Sequence, residues 1–314
     1  MTDLQIDADG RLRHLVTLAG LDRARIVDLL DRAAALRAAF AGGAAPPQPL
    51  AGRTVVNLFF EPSTRTRTSF ELAARRLGAQ VVNFDIASSS TSKGESLEDT
   101  LATLEAMQAD AFVVRHKENG TPARLALSAR HASILNAGDG NHAHPTQGLL
   151  DALTIRDHRT DFTALKVVIC GDIRHSRVAR SDLHVLRALG VGEIRLCAPQ
   201  ALLPDAEEAA GAFVTTDFDA AIEGCDVAIM LRLQKERMAA ALVEGEADYF
   251  SRYGLDADRL RRAAPDAIVM HPGPMNRGVE IADGVADGAQ SRILAQVANG
   301  IPTRMAVLAT LLER

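Results

Sequence analysis

The 314-residue chain has few cysteines and few lysines, and its cysteines are not spaced as metal ligands usually are. Its three cysteines, Cys170, Cys197 and Cys225, stand in apolar stretches typical of strands. This placement predicts buried thiols in a reducing compartment rather than a cysteine-based metal site. Only 4 of its 35 basic residues are lysines, and we attribute this arginine bias to genomic base composition because the chain is also rich in alanine.

Net positive charge and long apolar runs are also missing. The formal charge of −5 gives no electrostatic basis for binding nucleic acid. No apolar run approaches the roughly 20 residues that span a bilayer, and the N-terminus has no charged-then-apolar signal pattern. With 47% hydrophobic and 24% charged residues, the composition predicts a soluble, cytoplasmic, globular protein without a membrane segment.

Strand-like and helix-like segments alternate along the chain in two series. The first series runs from about residue 54 to 136, and the second begins at 165 and ends with a strand at 267–270. Helices are predicted at 63–77, 177–189, 205–211 and 217–223 among others, and a last helical stretch at 284–314 is predicted to break at 300–302. This alternation predicts an α/β fold of two doubly wound parallel-sheet domains, linked by long helices around Pro145.

The junction between the first strand and its helix carries five polar side chains, Ser-Thr-Arg-Thr-Arg at 63–67. A helix N-terminus has unpaired N–H groups and the positive end of the helix dipole, so it attracts anions. Hydroxyl groups add donors, and a guanidinium matches phosphate with a bidentate fork. The alternative is a simple helix cap followed by solvated arginines, but the density of donors favours a phosphate site.

Further polar residues follow other predicted strands, and in a parallel sheet all of these ends meet at one edge. Arg115 ends one strand, His142 and His144 follow the next, and Arg177 and Arg232 occupy corresponding places in the second series. The two histidines raise the question of zinc, but no carboxylate or cysteine stands at a matching spacing, so we expect no metal. The full Gly-x-Gly-x-x-Gly pattern is also missing, so the sequence does not support a dinucleotide site.

From about residue 11 to the C-terminus the chain resembles the carbamoyltransferases. The resemblance rests on five motifs: Ser-Thr-Arg-Thr-Arg at 63–67, Lys-Gly-Glu at 93–95, His-Pro-Thr-Gln at 144–147, Arg-Leu-Gln-Lys-Glu-Arg at 232–237 and His-Pro-Gly-Pro at 271–274. The ornithine branch shares the first motif but has a Cys-containing His-Cys-Leu-Pro element and a Ser-Met-Gly loop later in the chain. The resemblance is therefore to the aspartate branch.

The resemblance implies a reaction and a set of residue roles. Carbamoyl phosphate and L-aspartate would give N-carbamoyl-L-aspartate and phosphate, an early step of pyrimidine biosynthesis, without a cofactor or metal. The implied catalytic residues are Arg65, Thr66, Arg115 and His144. The implied carbamoyl-phosphate ligands are Ser63, Thr64, Arg65, Thr66, Arg115, His144, Gln147, Gly273 and Pro274. The implied aspartate ligands are Lys93, Arg177, Arg232 and Gln234. Either Ser92 or an earlier serine of 88–92 would also meet the phosphate.

The resemblance also implies an assembly and a division of labour between domains. The carbamoyl-phosphate domain would comprise residues 1–145 with 293–314, and the aspartate domain residues 146–292. The chains would form a homotrimer with shared active sites, in which the loop bearing Lys93 enters the neighbouring site. The element at 276–281, Asn-Arg-Gly-Val-Glu-Ile, resembles forms that associate with a dihydroorotase-like chain.

Two other classes of function stay open at this level. A non-catalytic assembly or regulatory paralogue would keep the fold and bind anions without turnover, but its motifs would be degenerate, and the matched positions here hold competent residues. A periplasmic-type anion-binding protein would have a similar two-domain architecture, but it is disfavoured because no signal pattern is present.

Overall fold

The computed structural model describes residues 2–42, 47–84, 94–233 and 245–313. The chain divides into two compact units: a first unit, Met1–Leu153 with Asn299–Arg314, and a second unit, Thr154–Ala298. Each unit has a parallel sheet with helices, which confirms the predicted α/β architecture. The limits of the two substrate-binding domains stay a prediction.

The first unit is built on a four-stranded sheet in the order β2-β1-β3-β4, with every pairing parallel. The strands are β1 (Thr54–Phe59), β2 (Gln80–Asn83), β3 (Ala111–His116) and β4 (Ser133–Asp139). The helices up to the first boundary are α1 (Thr2–Gln5), α2 (Arg23–Ala41), α3 (Thr64–Arg76), α4 (Leu97–Ala106), α5 (Thr121–Ser128) and α6 (Pro145–Arg156).

Burial and register in this sheet explain where its polar strand ends lie. Every residue of β3 and β4 is buried, as expected for parallel strands covered on both faces. Phe59 pairs with Arg115, so β1 and β3 reach the same edge of the sheet together. The chain segments that leave β1, β3 and β4 therefore begin at a common edge.

The second unit is built on a five-stranded parallel sheet in the order β7-β6-β5-β8-β9. The strands are β5 (Lys166–Cys170), β6 (Glu193–Cys197), β7 (Phe213–Thr215), β8 (Val227–Met230) and β9 (Ile268–Met270). The remaining helices are α7 (Arg177–Leu189), α8 (Phe218–Ile222), α9 (Glu246–Tyr253), α10 (Ala257–Leu260), α11 (Asp283–Ala286) and α12 (Ile293–Leu312). Two short 3₁₀ turns occupy Phe162–Ala164 and Gln200–Leu202.

Side-chain caps explain where several helices begin. Asp22, Ser96 and Ser176 each adopt an extended backbone and accept a hydrogen bond from an N–H in the first turn of α2, α4 and α7 respectively. Helix α7 ends at Gly190, whose φ of +78° suits a residue without a side chain. These ends agree with the predicted helix at 177–189.

Two predictions about the helices were wrong. Residues 206–211 form turns rather than a helix, and the chain then enters β7, which the sequence reasoning missed. Helix α12 continues through Gly300 and Pro302 instead of breaking there. An interior proline costs a helix about 3 kcal/mol, but burial of an apolar side chain contributes about 1.5–3 kcal/mol, and Met305, Leu308 and Leu311 are all fully buried.

The three cysteines are buried, as predicted, and none of them forms a disulfide. Within the described ranges, no helix combines the length and the apolar character that crossing a bilayer requires.

Candidate active site

The phosphate-type turn lies at the start of α3. Ser63 precedes the helix with an extended backbone (φ −161°, ψ 95°), and its hydroxyl donates to the Thr66 hydroxyl at 3.0 Å instead of accepting from the first turn. The Ser63 side chain therefore leaves the N–H groups of that turn uncapped. Such N–H groups, with the positive end of the helix dipole, form an anion site.

Arg65 and Arg67 are exposed cations of this turn, whereas Thr66 is buried. Enough protein surrounds the guanidinium that desolvation lowers the pKa of Arg65. Arginine nevertheless stays protonated near neutral pH because its ordinary pKa lies above 12. The turn thus combines a fixed positive charge with hydroxyl and backbone donors.

Arg115, at the end of β3, is held beside this turn. Its backbone oxygen accepts from Phe60 N at 2.8 Å, and its Nη1 donates to Ala137 O at 3.1 Å. Its Nη2 donates to Glu61 Oε1 at 2.5 Å, and Glu61 stands two residues before Ser63. A buried cation needs such partners to offset its desolvation. The pairing fixes Arg115 at the sheet edge where α3 begins.

His144 and Gln147 lie where β4 passes into α6. The His144 oxygen accepts from Gln147 N at 2.9 Å, so His144 stands at the start of the helix, and both side chains are buried. Gln147 Nε2 donates to the Asp151 carboxylate, at 3.0 Å from Oδ1 and 3.3 Å from Oδ2. Both predicted residues are therefore at the same edge as Arg115.

The expectation that no carboxylate stands near the two histidines was wrong for His142. A carboxylate does stand nearby, because Asp139 Oδ2 lies 3.1 Å from His142 Nδ1. Asp139 also accepts hydrogen bonds from Asn136 Nδ2, Gly120 N and Ala143 N. Its carboxylate therefore fixes the conformation of the chain at the end of β4. Across the described ranges, no three His, Cys, Asp or Glu side chains form a group suited to a metal ion.

In the second unit, Arg177 and Arg232 follow neighbouring strands. Arg177 is half-buried in the first turn of α7, after β5, and Arg232 is exposed just after β8. The backbone just after β5 packs closely against the backbone just after β8. A Cβ on Gly171, whose φ is +131°, would lie 2.6 Å from Leu231 O. Glycine at 171 therefore allows the segment before Arg177 to approach the segment that carries Arg232.

The turn at 271–274 follows β9, the neighbour of β8. Gly273 N donates to His271 Nδ1 at 2.8 Å, so the other ring nitrogen, Nε2, carries the hydrogen that faces Glu280 Oε1 at 3.2 Å. Asn276 Nδ2 donates to Leu233 O at 3.0 Å. This bond joins the loop of Gly273 and Pro274 to the segment of Arg232.

Three of the predicted positions cannot be placed: Ser92, Lys93 and Gln234 lie outside the described residues. The structure adds residues that sequence reasoning missed, namely Glu61, Asp151 and Arg304 in the first unit and Asn276 and Glu280 in the second. Asp151 stands four residues after Gln147 on one helix, a spacing at which side chains meet. The contacts of Glu61 with Arg115, of Asn276 with Leu233 and of Arg304 with Phe70 join residues that are far apart in the chain and arise through the tertiary fold.

The first unit thus gathers a helix N-terminus, two arginines, hydroxyl donors, a histidine and an amide at one sheet edge. Cations and neutral donors so arranged can bind a phosphate dianion and stabilise negative charge on a nearby carbonyl oxygen. The second unit offers separate cations that suit carboxylates.

Comparisons with known proteins agree with this chemistry. Residues 13–157 match the family model "Aspartate/ornithine carbamoyltransferase, carbamoyl-P binding domain", and residues 163–311 match "Aspartate/ornithine carbamoyltransferase, Asp/Orn binding domain". The aspartate carbamoyltransferase catalytic subunit of Xanthomonas campestris pv. campestris (strain B100) is 60% identical, over 99% of this chain and 100% of its own. That of Stenotrophomonas maltophilia (strain K279a) is 59% identical over the same shares.

Solved structures give the same result. Aspartate transcarbamoylase from Trypanosoma cruzi, in complex with carbamoyl aspartate and phosphate, is 34% identical with a TM-score of 0.86, over 99% of this chain and 100% of its own. Ornithine carbamoyltransferase from Thermus thermophilus is 27% identical with a TM-score of 0.85, over 96% and 99%. The chain belongs to the aspartate/ornithine carbamoyltransferase family.

Proposed function

We propose that the chain is an aspartate carbamoyltransferase, which transfers the carbamoyl group of carbamoyl phosphate to the amine of L-aspartate. The observation that carries the proposal is the uncapped start of α3 beside the paired Arg115, in a chain 60% identical to a catalytic subunit of that name. The products are N-carbamoyl-L-aspartate and phosphate, and the reaction belongs to pyrimidine biosynthesis.

Carbamoyl phosphate binds at the first unit in this proposal. Ser63, Thr64, Arg65 and Thr66 hold the phosphate, since the turn supplies backbone donors, hydroxyls and a guanidinium. Arg115 and His144 reach the carbonyl oxygen together with Thr66. Gln147 orients the carbamoyl NH₂. Gly273 and Pro274 are further carbamoyl-phosphate ligands in the role that the family resemblance implies.

The chemistry is direct transfer without a covalent enzyme intermediate. The amine of aspartate forms a bond to the carbonyl carbon, the carbonyl oxygen gains negative charge, and the carbon–oxygen bond to phosphate then breaks. Preorganised donors stabilise that charge, an effect worth several kcal/mol when donors are correctly placed. The proton lost by the amine passes to an oxygen of the departing phosphate.

L-Aspartate binds through cations of the second unit. Arg177 and Arg232 follow neighbouring strands and hold its carboxylates. Lys93 and Gln234 are further aspartate ligands in the role that the family resemblance implies. The aspartate branch is favoured over the ornithine branch by Arg232 and by the His-Pro-Gly-Pro turn at 271–274. Ornithine carries a cationic side chain, which two arginines would repel.

We also propose the setting of this activity. The protein is cytoplasmic and forms a homotrimer whose active sites are shared between neighbouring chains. The element at 276–281 provides contacts for a higher assembly with a dihydroorotase-like chain, a proposal supported only by its resemblance to forms that make such an assembly.

The decisive experiment measures phosphate released from carbamoyl phosphate with L-aspartate or with L-ornithine as acceptor. Release dependent on L-aspartate, with formation of N-carbamoyl-L-aspartate, supports the proposal. Release that depends on L-ornithine and not on L-aspartate would assign the chain to the ornithine branch. Binding of carbamoyl phosphate without turnover on either acceptor would instead favour a non-catalytic paralogue.

A further inference from the structure

Asp151 is a buried carboxylate that the proposed chemistry does not use directly. It is 1% exposed and stands four residues after Gln147 on α6, so the two side chains share a helix face. Gln147 Nε2 lies 3.0 Å from Oδ1 and 3.3 Å from Oδ2 of this carboxylate. The Gln147 amide thus donates hydrogen bonds to the carboxylate through its nitrogen.

This contact determines which end of the Gln147 amide is the NH₂ group and which is the oxygen. An ionised carboxylate only accepts hydrogen bonds, and an amide has a donor end and an acceptor end about equal in size. The NH₂ must therefore face Asp151, because the reverse orientation would set two acceptors against each other. The Oε1 atom, at the opposite end of the planar group, is left as the end that faces away from Asp151 and accepts hydrogen bonds.

Arg304, on α12, supports the negative charge of Asp151. It is 4% exposed, its Nη1 donates to Gly300 O at 3.0 Å, and its guanidinium carbon lies 5.0 Å from the centre of the Phe70 ring on α3. Burial lowers the pKa of Arg304 to about 10, while the charge of Asp151 acts to raise it. Arg304 therefore stays cationic at neutral pH and favours the ionised form of Asp151.

The fold makes room for this cation. A Cβ at residue 300 would lie 2.5 Å from Arg304 Nη1, so glycine at that position allows the guanidinium to fold back along its own helix. Arg304 interacts electrostatically with Asp151 on α6 and packs on Phe70 of α3, the two helices that carry the proposed substrate ligands.

We propose that Asp151 is the positioning residue that makes the site select a carbamoyl group over an acyl group. By holding the NH₂ of Gln147, it presents Oε1 as an acceptor for the carbamoyl NH₂. Acetyl phosphate has the same shape with a methyl group in place of that NH₂, so it cannot donate, and Oε1 would lose its hydrogen bond. The inference rests on the proposed function, which places the carbamoyl NH₂ at Gln147.

The test compares calorimetric titrations with carbamoyl phosphate and with acetyl phosphate. The measured quantity is the preference, defined as the Kd for acetyl phosphate divided by the Kd for carbamoyl phosphate. In Asp151→Asn the amide can turn around, because asparagine both donates and accepts. We expect the preference to fall by about tenfold, the size of one neutral hydrogen bond, through weaker binding of carbamoyl phosphate alone.

Three further variants keep the result interpretable. Asp151→Glu retains an acceptor-only group and should keep more of the preference than Asp151→Asn. Gln147→Leu removes the amide that Asp151 orients, and it should reduce the preference about as much as Asp151→Asn does. It tests whether Oε1 of Gln147 recognises the carbamoyl NH₂ even if Asp151→Asn does not fold. Glu105→Gln alters another buried carboxylate of the first unit and should leave the preference unchanged.

The outcomes separate this inference from the proposed function. An unchanged preference in both folded Asp151→Asn and Gln147→Leu would overturn the role of Asp151. Equal loss of affinity for both ligands in Asp151→Asn would also overturn it, because that result indicates a structural role only. If the unmodified protein failed to bind carbamoyl phosphate at all, the proposed function itself would fall.

Discussion

At the scale of the residue, the site depends on buried or half-buried polar side chains that each have a defined partner. Arg115 is held by Glu61 and a backbone oxygen, and the His271 ring is held between Gly273 N and Glu280. The ion pair of Arg115 with Glu61 holds the guanidinium in one geometry more than it adds stability, because desolvation of both charges offsets most of their attraction. Arg65 differs because it is exposed and its charge is directed at a ligand in our proposal.

Arg65→Ala should abolish turnover and weaken binding of carbamoyl phosphate about ten- to a hundredfold, since charge-assisted hydrogen bonds to a dianion are lost. Calorimetric titration measures the binding. The control is Arg75→Ala, which removes an exposed arginine from the last turn of the same helix and should bind normally. Affinity of the Arg65 variant within about twofold of the unmodified protein would contradict the phosphate site.

Arg232→Ala should raise the KM for L-aspartate and lower kcat while leaving the Kd for carbamoyl phosphate unchanged. The reason is its place after β8 in the second unit, whereas the phosphate turn lies in the first. Steady-state kinetics with each substrate varied in turn measures the effect, and Arg261→Ala, an exposed arginine of the same unit, is the control. Loss of carbamoyl-phosphate binding with normal aspartate saturation would reverse the assignment.

At the scale of the element, one carboxylate joins the end of α4 to the residues before β4. Glu105 is 3% exposed and accepts from the backbone N–H groups of Arg130, His131 and Ala132. Burial alone would raise the pKa of Glu105, but the three donors together hold its pKa below the usual value. The charged carboxylate therefore contributes to fixing where the strand starts.

This depressed pKa predicts how stability changes with pH. The contribution of Glu105 is fully present above the unfolded-state pKa of about 4.3, and it is lost as the pH falls through the lower folded-state value. Glu105→Gln should lower the free energy of unfolding by about 1–2 kcal/mol at neutral pH and should flatten its decline below about pH 4.3.

Urea unfolding of the two proteins over this pH range measures both effects. The control is Glu98→Gln on the same helix, which removes half of an exposed ion pair with Arg124 and should change stability little. A Glu105→Gln protein with the same acid sensitivity as the unmodified protein would show that the three backbone donors do not depend on the charge.

At the scale of the whole molecule, the proposed trimer makes a quantitative prediction. Arg65→Ala and Lys93→Ala chains should each be inactive alone. In a closed ring, a mixed trimer always contains one site with an intact Arg65 and an intact neighbouring Lys93. Random mixing gives about three-quarters mixed trimers, so activity should recover to about a quarter of the unmodified level.

Chain exchange must be verified separately, for example by mass spectrometry of chains of different mass. The control is a mixture of Arg65→Ala with Thr66→Ala, two changes in the same turn, which should stay inactive because every site has one or the other. An Arg65 and Lys93 mixture that exchanges chains but remains inactive would place Lys93 in its own chain's site or outside any site.

The sequence by itself determined the local features of this protein. Hydrophobic periodicity and strand–helix alternation predicted both parallel sheets, because these signals depend only on near neighbours in the chain. The donors at 63–67 lie at the start of α3, and the anion site there stays a prediction. Prediction from the sequence failed where burial outweighs the local conformational preference of a residue. Helix α12 continues through Pro302 because the apolar residues that follow are buried against the first unit.

Only the tertiary structure decided which charges meet. Glu61 and Arg115 are 54 residues apart in the chain and join because β1 and β3 are neighbours in register. Arg304 comes from the last helix, yet it packs on Phe70 and interacts with Asp151, and no spacing in the sequence indicates either partner. Long-range pairs of this kind depend on strand order and helix packing, which local composition does not encode.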